Sequence, residues 1–326
     1  MIKSQEAILE DILQSLSSRL PGEIKNISPI TRGYLNLKWK VSTTAGTFLI
    51  KQFNKDRLRK YDRQDLLFAL RQQKRLYKKG FPCPNIYLDK DNRLLESSNG
   101  EIFMVMEFCP GKIKLPGCLT RGEMNHLGKC TGRMHAILND RIVGTKERAE
   151  FIPPPVKHRM SHWMRVKEET EAKGKMGHIP LIDKQLSLTE RIDLDTLGMK
   201  DTGWAHRDLF LDNILFHKGG ISAILDFDRL RYDYPKLDVA RAVLSGSLYN
   251  NILDVELVSS FMEGYREHRI CSDTVLIEGL RLLWYMESTW WIDADMDQHV
   301  GPPIRFLEEM KWLQEHYFDL EDILNG

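Results

Sequence analysis

Charge of one sign, long apolar runs and paired cysteines are all scarce in this chain, and each scarcity closes off a class of function. The 47 basic and 46 acidic residues leave a formal charge of +1, whereas a surface that neutralises nucleic-acid phosphates carries a basic excess, so no nucleic-acid partner is expected. No apolar segment is long enough to span a bilayer. The N-terminal MIKSQEAILEDILQSL alternates charged and apolar residues at helical spacing instead of presenting the unbroken apolar stretch of a signal peptide, so the expectation is a cytoplasmic protein with no membrane partner. The five cysteines (Cys83, Cys109, Cys118, Cys130 and Cys271) are odd in number and show neither a CxxC pair nor zinc-ligand spacing, which reads as reduced structural thiols. Biased tracts are missing too: with 42% hydrophobic and 29% charged residues the chain has the composition of a folded globular protein. Its 326 residues suffice for two domains or one large two-lobed body.

The pattern predicts an amphipathic helix over residues 4–20, stopped by Pro21 and Gly22. A hairpin follows, with Tyr34 to Ser42 and Thr47 to Phe53 flanking the turn at Thr44, Ala45 and Gly46. Residues 62–79 place Leu66, Leu70, Gln73 and Tyr77 along one side of a helix that ends at Gly80. Strands are predicted over Asn85 to Leu88 and Glu101 to Phe108, and the turn Cys109-Pro110-Gly111 marks a domain boundary. A helix spans Arg121 to Leu138, the stretch from Arg141 to Asp201 gives no readable boundaries, and short strands at Ile214 to Phe216 and Ile221 to Leu225 flank Gly219-Gly220. From Leu237 onward the chain reads as mostly helical. The fold class is α+β, with a β-rich unit at 1–109 and an α-rich unit at 110–326.

The segment GWAHRDLFLDNILF holds His206, Arg207, Asp208 and, five residues after the aspartate, Asn213, the HRDxxxxN spacing of a phosphotransferase catalytic loop. The strand ISAILDFD then supplies Asp226 and Asp228. Phosphoryl transfer asks a protein to hold metal-bound phosphates in line with an acceptor hydroxyl and to neutralise developing charge. Asp208 suits the carboxylate that takes or orients the hydroxyl proton, while Asn213 and Asp226 are hard oxygen donors suited to Mg2+. Lys51, in the strand GTFLIKQF, shares a face with Leu49 and reads as an ammonium for the α- and β-phosphates of ATP, or GTP. Glycine is sparse where a phosphate-covering turn would lie: ITRGYLNLKWKV offers Gly33 alone. The backbone at Glu107 to Cys109 is either an adenine-pairing junction or a plain connector.

These residues together resemble the aminoglycoside phosphotransferase and choline kinase-like superfamily over roughly residues 25–300. The pieces are Lys51, KKGFPCP, HRDLFLDN, ILDFD and YDYPKLDVARAV, with spacing that resembles spore-coat-associated, stress-response and antibiotic-kinase subgroups. The resemblance implies a bilobal protein-kinase-like fold, with a small N-terminal antiparallel β-sheet lobe and a larger helical C-terminal lobe. It implies ATP (or GTP) and Mg2+ as cofactors, and Asp233 and Asp238 as structural aspartates. One expected group is missing: helix 62–79 contains no glutamate to pair with Lys51, which leaves Asp65, Gln72 or Gln73 as candidates.

The late stretch LLWYMESTWWIDADMD interleaves tryptophans with acids, and Trp284, Glu287 and Trp291 are neighbours at helical spacing. This side is either core packing or a surface for an organic cation; the second reading, with Asp228 added, predicts a small cationic acceptor such as an aminoglycoside-like or amicoumacin-like antibiotic, choline or an amino alcohol, with homoserine or a sugar alcohol as separate alternatives. His158, His162 and His178 have no metal-ligand spacing. Two other classes compete: a serine/threonine protein kinase and a noncatalytic spore-coat scaffold. The first is disfavoured because about ten residues separate Asp228 from Asp238, with no APE-like anchor. The second is disfavoured by the intact set of acids.

Overall fold

The computed structural model describes residues 4–16, 20–31, 36–59, 62–89, 94–218 and 220–325. In chain order these form α1 (Gln5–Leu16), β1 (Ile24–Pro29), β2 (Leu37–Thr43), β3 (Gly46–Gln52), α2 (Lys55–Leu58), α3 (Arg63–Lys78), β4 (Ile86–Tyr87), β5 (Leu95–Glu96) and β6 (Ile102–Glu107). There follow α4 (Arg121–Leu138), α5 (Val156–Ala172), α6 (Ile179–Glu190), β7 (Gly203–Ala205), β8 (Ile214–His217), β9 (Gly220–Ile224), β10 (Arg231–Asp233) and α7 (Pro235–Ser247). The chain closes with β11 (Leu248–Tyr249), β12 (Ile252–Leu253), α8 (Val255–Arg266), α9 (Val275–Trp291), α10 (Pro302–His316) and α11 (Leu320–Asn325).

The chain divides into two compact units. The first comprises residues 1–112 with 214–217 and 221–230; the second comprises 113–213, 218–220 and 231–326. In the first unit an antiparallel sheet runs β1-β2-β3-β6-β4, with β5 also paired to β6. Alternation along β3 decides what each face meets. Phe48 and Ile50 join Trp39, Val41, Phe103 and Val105 under Ile12 and Leu16 of α1. Leu49 turns to the opposite face, where Met104 and Met106 pack with Leu66 and Leu70 of α3. Asp62 caps α3 by accepting from the Gln64 N–H (2.7 Å), and Gly80 leaves it at φ 69°. The β8–β9 hairpin belongs to this unit because Lys112 and Phe216 exchange backbone hydrogen bonds (2.9 and 2.8 Å) and Ile224 N–H donates to Pro82 O (2.8 Å).

The second unit is built around α7, all of whose residues are buried. Helix α9 packs along α7, α10 packs on α9, and α4 lies tightly against α8. A capping box at Thr120 and Glu123 starts α4. The stretch with no readable boundaries holds α5 and α6, which pack on each other.

Candidate active site

The catalytic-loop motif hangs from α7. The β7 strand pairs with β10 (Gly203↔Asp233, Ala205↔Arg231) and delivers His206 and Arg207 to the first turn of the helix. There Asp238, fully buried, accepts from the His206 N–H (2.6 Å) and the Arg207 N–H (2.8 Å). His135 of α4 joins the same carboxylate through Nε2 (3.1 Å) while its Nδ1 accepts from the Tyr265 hydroxyl (3.1 Å). Burial works to raise the Asp238 pKa, but the hydrogen bond from His135 and the neighbouring Arg241 guanidinium hold it down at about 2. The aspartate is thus a fixed anion that clamps the loop's backbone. Arg207 adopts φ 67°, pairs with Asp233 (2.5 Å) and stacks 3.6 Å from the Phe151 ring centroid. Burial pushes Asp233 up to about 6 against the pull of Arg207 and Arg241.

With the loop so held, Asp208 and Asn213 meet. The Asp208 N–H donates to His206 Nδ1 (3.2 Å), and Asn213 Nδ2 donates to the Asp208 carbonyl (2.9 Å) and to its Oδ2 (3.0 Å). With its amide nitrogen committed to Asp208, Asn213 keeps Oδ1 as an acceptor. Asp212, between them in the motif, receives Arg305 of α10 (2.5 Å), and the Phe306 ring packs on both Phe210 and Trp291 (4.6 Å each).

In the first unit Lys51 lies 3% exposed at the end of β3, with Nζ 2.5 Å from both Asp226 Oδ1 and Asp228 Oδ2. Burial works to lower the ammonium's pKa; the two carboxylates outweigh it and raise the pKa, so Lys51 stays charged. Asp226 sits at φ 63°, a left-handed conformation that redirects the chain as β9 ends, and its side chain is 29% exposed. The glutamate missing from α3 is therefore replaced from the ILDFD segment and not by Asp65 or a glutamine. Gln73 donates to Pro84 O (2.9 Å) and Gln72 accepts from Arg75 (3.3 Å).

The expected organic-cation surface is not formed. Trp284 is fully buried, edge-on to Tyr317, and Glu287 is 2% exposed and ion-paired with Arg241, so its charge is spent inside the unit. Trp291 is half-buried against Phe306, and Asp228 serves Lys51. At the predicted junction, the Glu107 N–H donates to Asn85 O (2.9 Å) and the Phe108 N–H to Thr47 O (3.1 Å), so the first backbone group past this ladder is that of Cys109. Gly33 lies outside the described residues. Sequence reading missed His135, Arg241 and Arg305, whose partners lie 103, 46 and 93 residues away. The DxD spacing of Asp226 and Asp228 was the one local signal for the second partner of Lys51.

Asn213 in the second unit offers an amide oxygen and Asp226 in the first a partly exposed carboxylate, each a hard oxygen donor of the kind that suits a divalent ion. Among the described residues no group of three or more His, Cys, Asp or Glu side chains is gathered as a self-sufficient metal cage. No helix among them is long and apolar enough to cross a membrane.

Residues 26–274 match the profile described as "Phosphotransferase enzyme family". The chain is 27% identical over 236 residues to a homoserine kinase of Chelativorans sp. (strain BNC1), covering 69% of this chain and 67% of that one. Among solved structures it is similar to the amicoumacin kinase hAmiN in complex with AMP-PNP, Ca2+ and Ami (TM-score 0.62, 16% identity, 97% and 94% of the two chains). It is also similar to choline kinase from Cryptosporidium parvum Iowa II (TM-score 0.60, 17% identity, 97% and 96%). At these identities the structural likeness speaks for the fold, which is α+β and kinase-like.

Proposed function

The chain belongs to the phosphotransferase enzyme family as a small-molecule kinase with a hydroxyl acceptor, and from that premise we propose that it transfers the γ-phosphate of ATP (or GTP) to the hydroxyl of a small amino-bearing alcohol, homoserine first among candidates. The observation that carries this reading is Asp208, held by the Asn213 amide on a loop whose backbone is clamped by Asp238. The homoserine kinase relative supports an amino alcohol as acceptor, and the burial of Glu287 and Trp284 removes the argument for an acceptor bound chiefly as a cation.

In this reaction the acceptor oxygen forms a bond to the γ-phosphorus as the bond to the β,γ-bridging oxygen breaks. The nucleoside diphosphate leaves, and the hydroxyl proton passes to an Asp208 oxygen. Asn213 restricts the rotation of that carboxylate. Lys51 supplies positive charge for the phosphates, and Asp226 and Asp228 keep it protonated and aimed. Asn213 and Asp226 are the residues that would hold a divalent ion, Mg2+ by the chemistry of their oxygens, and such an ion neutralises charge on the phosphates.

The test is incubation of the purified protein with ATP or GTP, with and without Mg2+, against homoserine, choline, other amino alcohols and aminoglycosides. Phosphorylation of an amino alcohol that falls by about 10²–10⁴-fold in Asp208→Asn, with nucleotide binding retained, is the expected result. Transfer to protein serine, or none to any alcohol, would overturn the reading.

A further inference from the structure

Residue 207 decides which way the catalytic loop carries Asp208, and it holds a backbone conformation that an arginine does not keep unaided. Arg207 sits at φ 67°, in the left-handed region where every residue but glycine is strained. Such a residue persists only when its surroundings over-determine it. Its backbone N–H donates to Asp238 Oδ1 (2.8 Å), and its guanidinium meets two groups. Asp233 lies 2.5 Å from Nε, but neither that nitrogen nor either Asp233 oxygen has an aligned hydrogen-bond partner, so the carboxylate supplies charge without direction. The second group is Phe151, whose ring centroid is 3.6 Å from the guanidinium carbon. A ring face at that distance sets the plane of the guanidinium.

Phe151 belongs to the connection 139–155 between α4 and α5, which has no strand or helix of its own. Connections longer than about 12–15 residues without such structure are uncommon and are usually either functional or disordered. This one is tied down at three places. Trp204 Nε1 donates to Gly144 O (2.8 Å). The Glu150 N–H donates to Tyr232 O (2.9 Å), and the Glu150 carboxylate pairs with Arg231 (3.3 Å). The Tyr285 hydroxyl donates to Pro154 O (2.7 Å). Phe151 thus lies between two anchored positions, one residue past Glu150 and three before Pro154. It is 37% exposed, so burial in the core does not account for its placement, while the stack on Arg207 does.

We propose that Phe151 is a positioning residue of the kinase reaction: by stacking on Arg207 it holds the left-handed turn that aims Asp208 at the acceptor hydroxyl. This rests on the reading of Asp208 above.

The test places Phe151→Ala in the wild type and in an Arg207→Gly background. Glycine takes φ 67° without strain and presents no guanidinium, so Phe151 then has nothing to hold. The assay uses ATP, Mg2+ and L-homoserine, or whichever alcohol of the panel above the wild type turns over fastest. Phe151→Ala should lower kcat about 5- to 30-fold, with KM for ATP within about twofold. That range is the left-handed cost of roughly 1–2 kcal/mol for a non-glycine residue, converted at about 1.36 kcal/mol per tenfold. In the Arg207→Gly background the same substitution should change kcat by less than about twofold. Phe151→Tyr keeps the ring and should retain kcat, where Phe151→Leu should lose it as Phe151→Ala does. Ile152→Ala, which removes a more exposed apolar group from the same connection, should leave kcat unchanged.

A second arm reads the contact without turnover: Phe151→Ala should lower the melting temperature by about 1–3 °C in the wild type and not in the Arg207→Gly background. Losses of kcat or of melting temperature that are equal in the two backgrounds, or a raised KM at unchanged kcat, overturn the proposal. Full activity in Asp208→Asn defeats the reading of Asp208 itself, a result that no Phe151 variant produces. If the wild type phosphorylates no alcohol, the acceptor reading fails separately, and the melting-temperature comparison decides whether Phe151 holds Arg207.

Discussion

Single buried charges in this protein are read most directly through what happens when one partner is removed. Lys51 is nearly inaccessible between two carboxylates, so Lys51→Met removes the ammonium that both Asp226 and Asp228 meet. The loss is expected to be about 2–4 kcal/mol by urea denaturation, toward the lower end because Asp226 is partly exposed and screened. Glu309 is the opposite case. It is 2% exposed, and burial pushes its pKa up to about 8 against Arg305, with Glu287 and Asp212 adding to the rise. A carboxyl whose pKa is raised on folding stabilises the folded state fully at acid pH, and that contribution is lost as pH climbs from the unfolded value toward about 8. Glu309→Gln, which mimics the neutral acid, should therefore match the wild type near pH 5 and exceed it by roughly 1–4 kcal/mol at pH 8. Melting curves across that range would check it; a difference independent of pH would count against the burial argument.

Between elements, the closest approach is that of α4 and α8. A Cβ at Gly128 would fall inside contact distance of the Phe261 carbonyl, and one at Gly264 inside that of the Asn125 carbonyl. Both obstacles are backbone, which has no rotamer by which to yield. Gly128→Val should push the helices apart and cost about 2–4 kcal/mol or prevent folding. The exposed Gly122, nearly two turns earlier on α4 and with open space around it, is the control, and Gly122→Ala should be neutral or slightly stabilising by urea denaturation. Because His135 on α4 also supports Asp238, a folded Gly128 variant should lose kcat before it loses nucleotide binding. Sequence reading placed α4 around Arg121 to Leu138, where it is observed, and the threonine cap and the glutamate three residues later that start it are local features too. It gave no sign that two glycines mark the crossing, because a glycine in a helix looks alike whether it faces a neighbour or water.

At the scale of the molecule, the chain leaves its first unit at Lys112 and returns to it at Ile214. Residues 214–230 complete that unit by pairing Phe216 with Lys112 and by bringing both carboxylates to Lys51. A fragment of residues 1–112 should accordingly be missing about 3–5 kcal/mol and show a broad or absent thermal transition by circular dichroism. The same fragment joined through a short flexible linker to 214–230 should melt cooperatively. Equal stability of the two would mean that the Lys51 cluster contributes little to the fold.

What the amino-acid order determined unaided was everything whose signal fits within a dozen or so residues. This covers the loop from His206 to Asn213, the hairpin turn before Gly46, the alternation that puts Lys51 on the face of Leu49, and the α+β class. Such features follow from backbone geometry and side-chain period, which act between near neighbours. What tertiary structure alone decided was which distant group each charge meets. Lys51 takes carboxylates 175 and 177 residues away, Glu287 is consumed by Arg241, and Arg159 meets a threonine hydroxyl and a tyrosine ring with no carboxylate among the described residues. A helix that mixes tryptophan with glutamate has the same period whether that side faces solvent or core. The choice between those outcomes is made by the desolvation of each charge against the partner that packing happens to bring within reach, a quantity that exists only once the chain has folded.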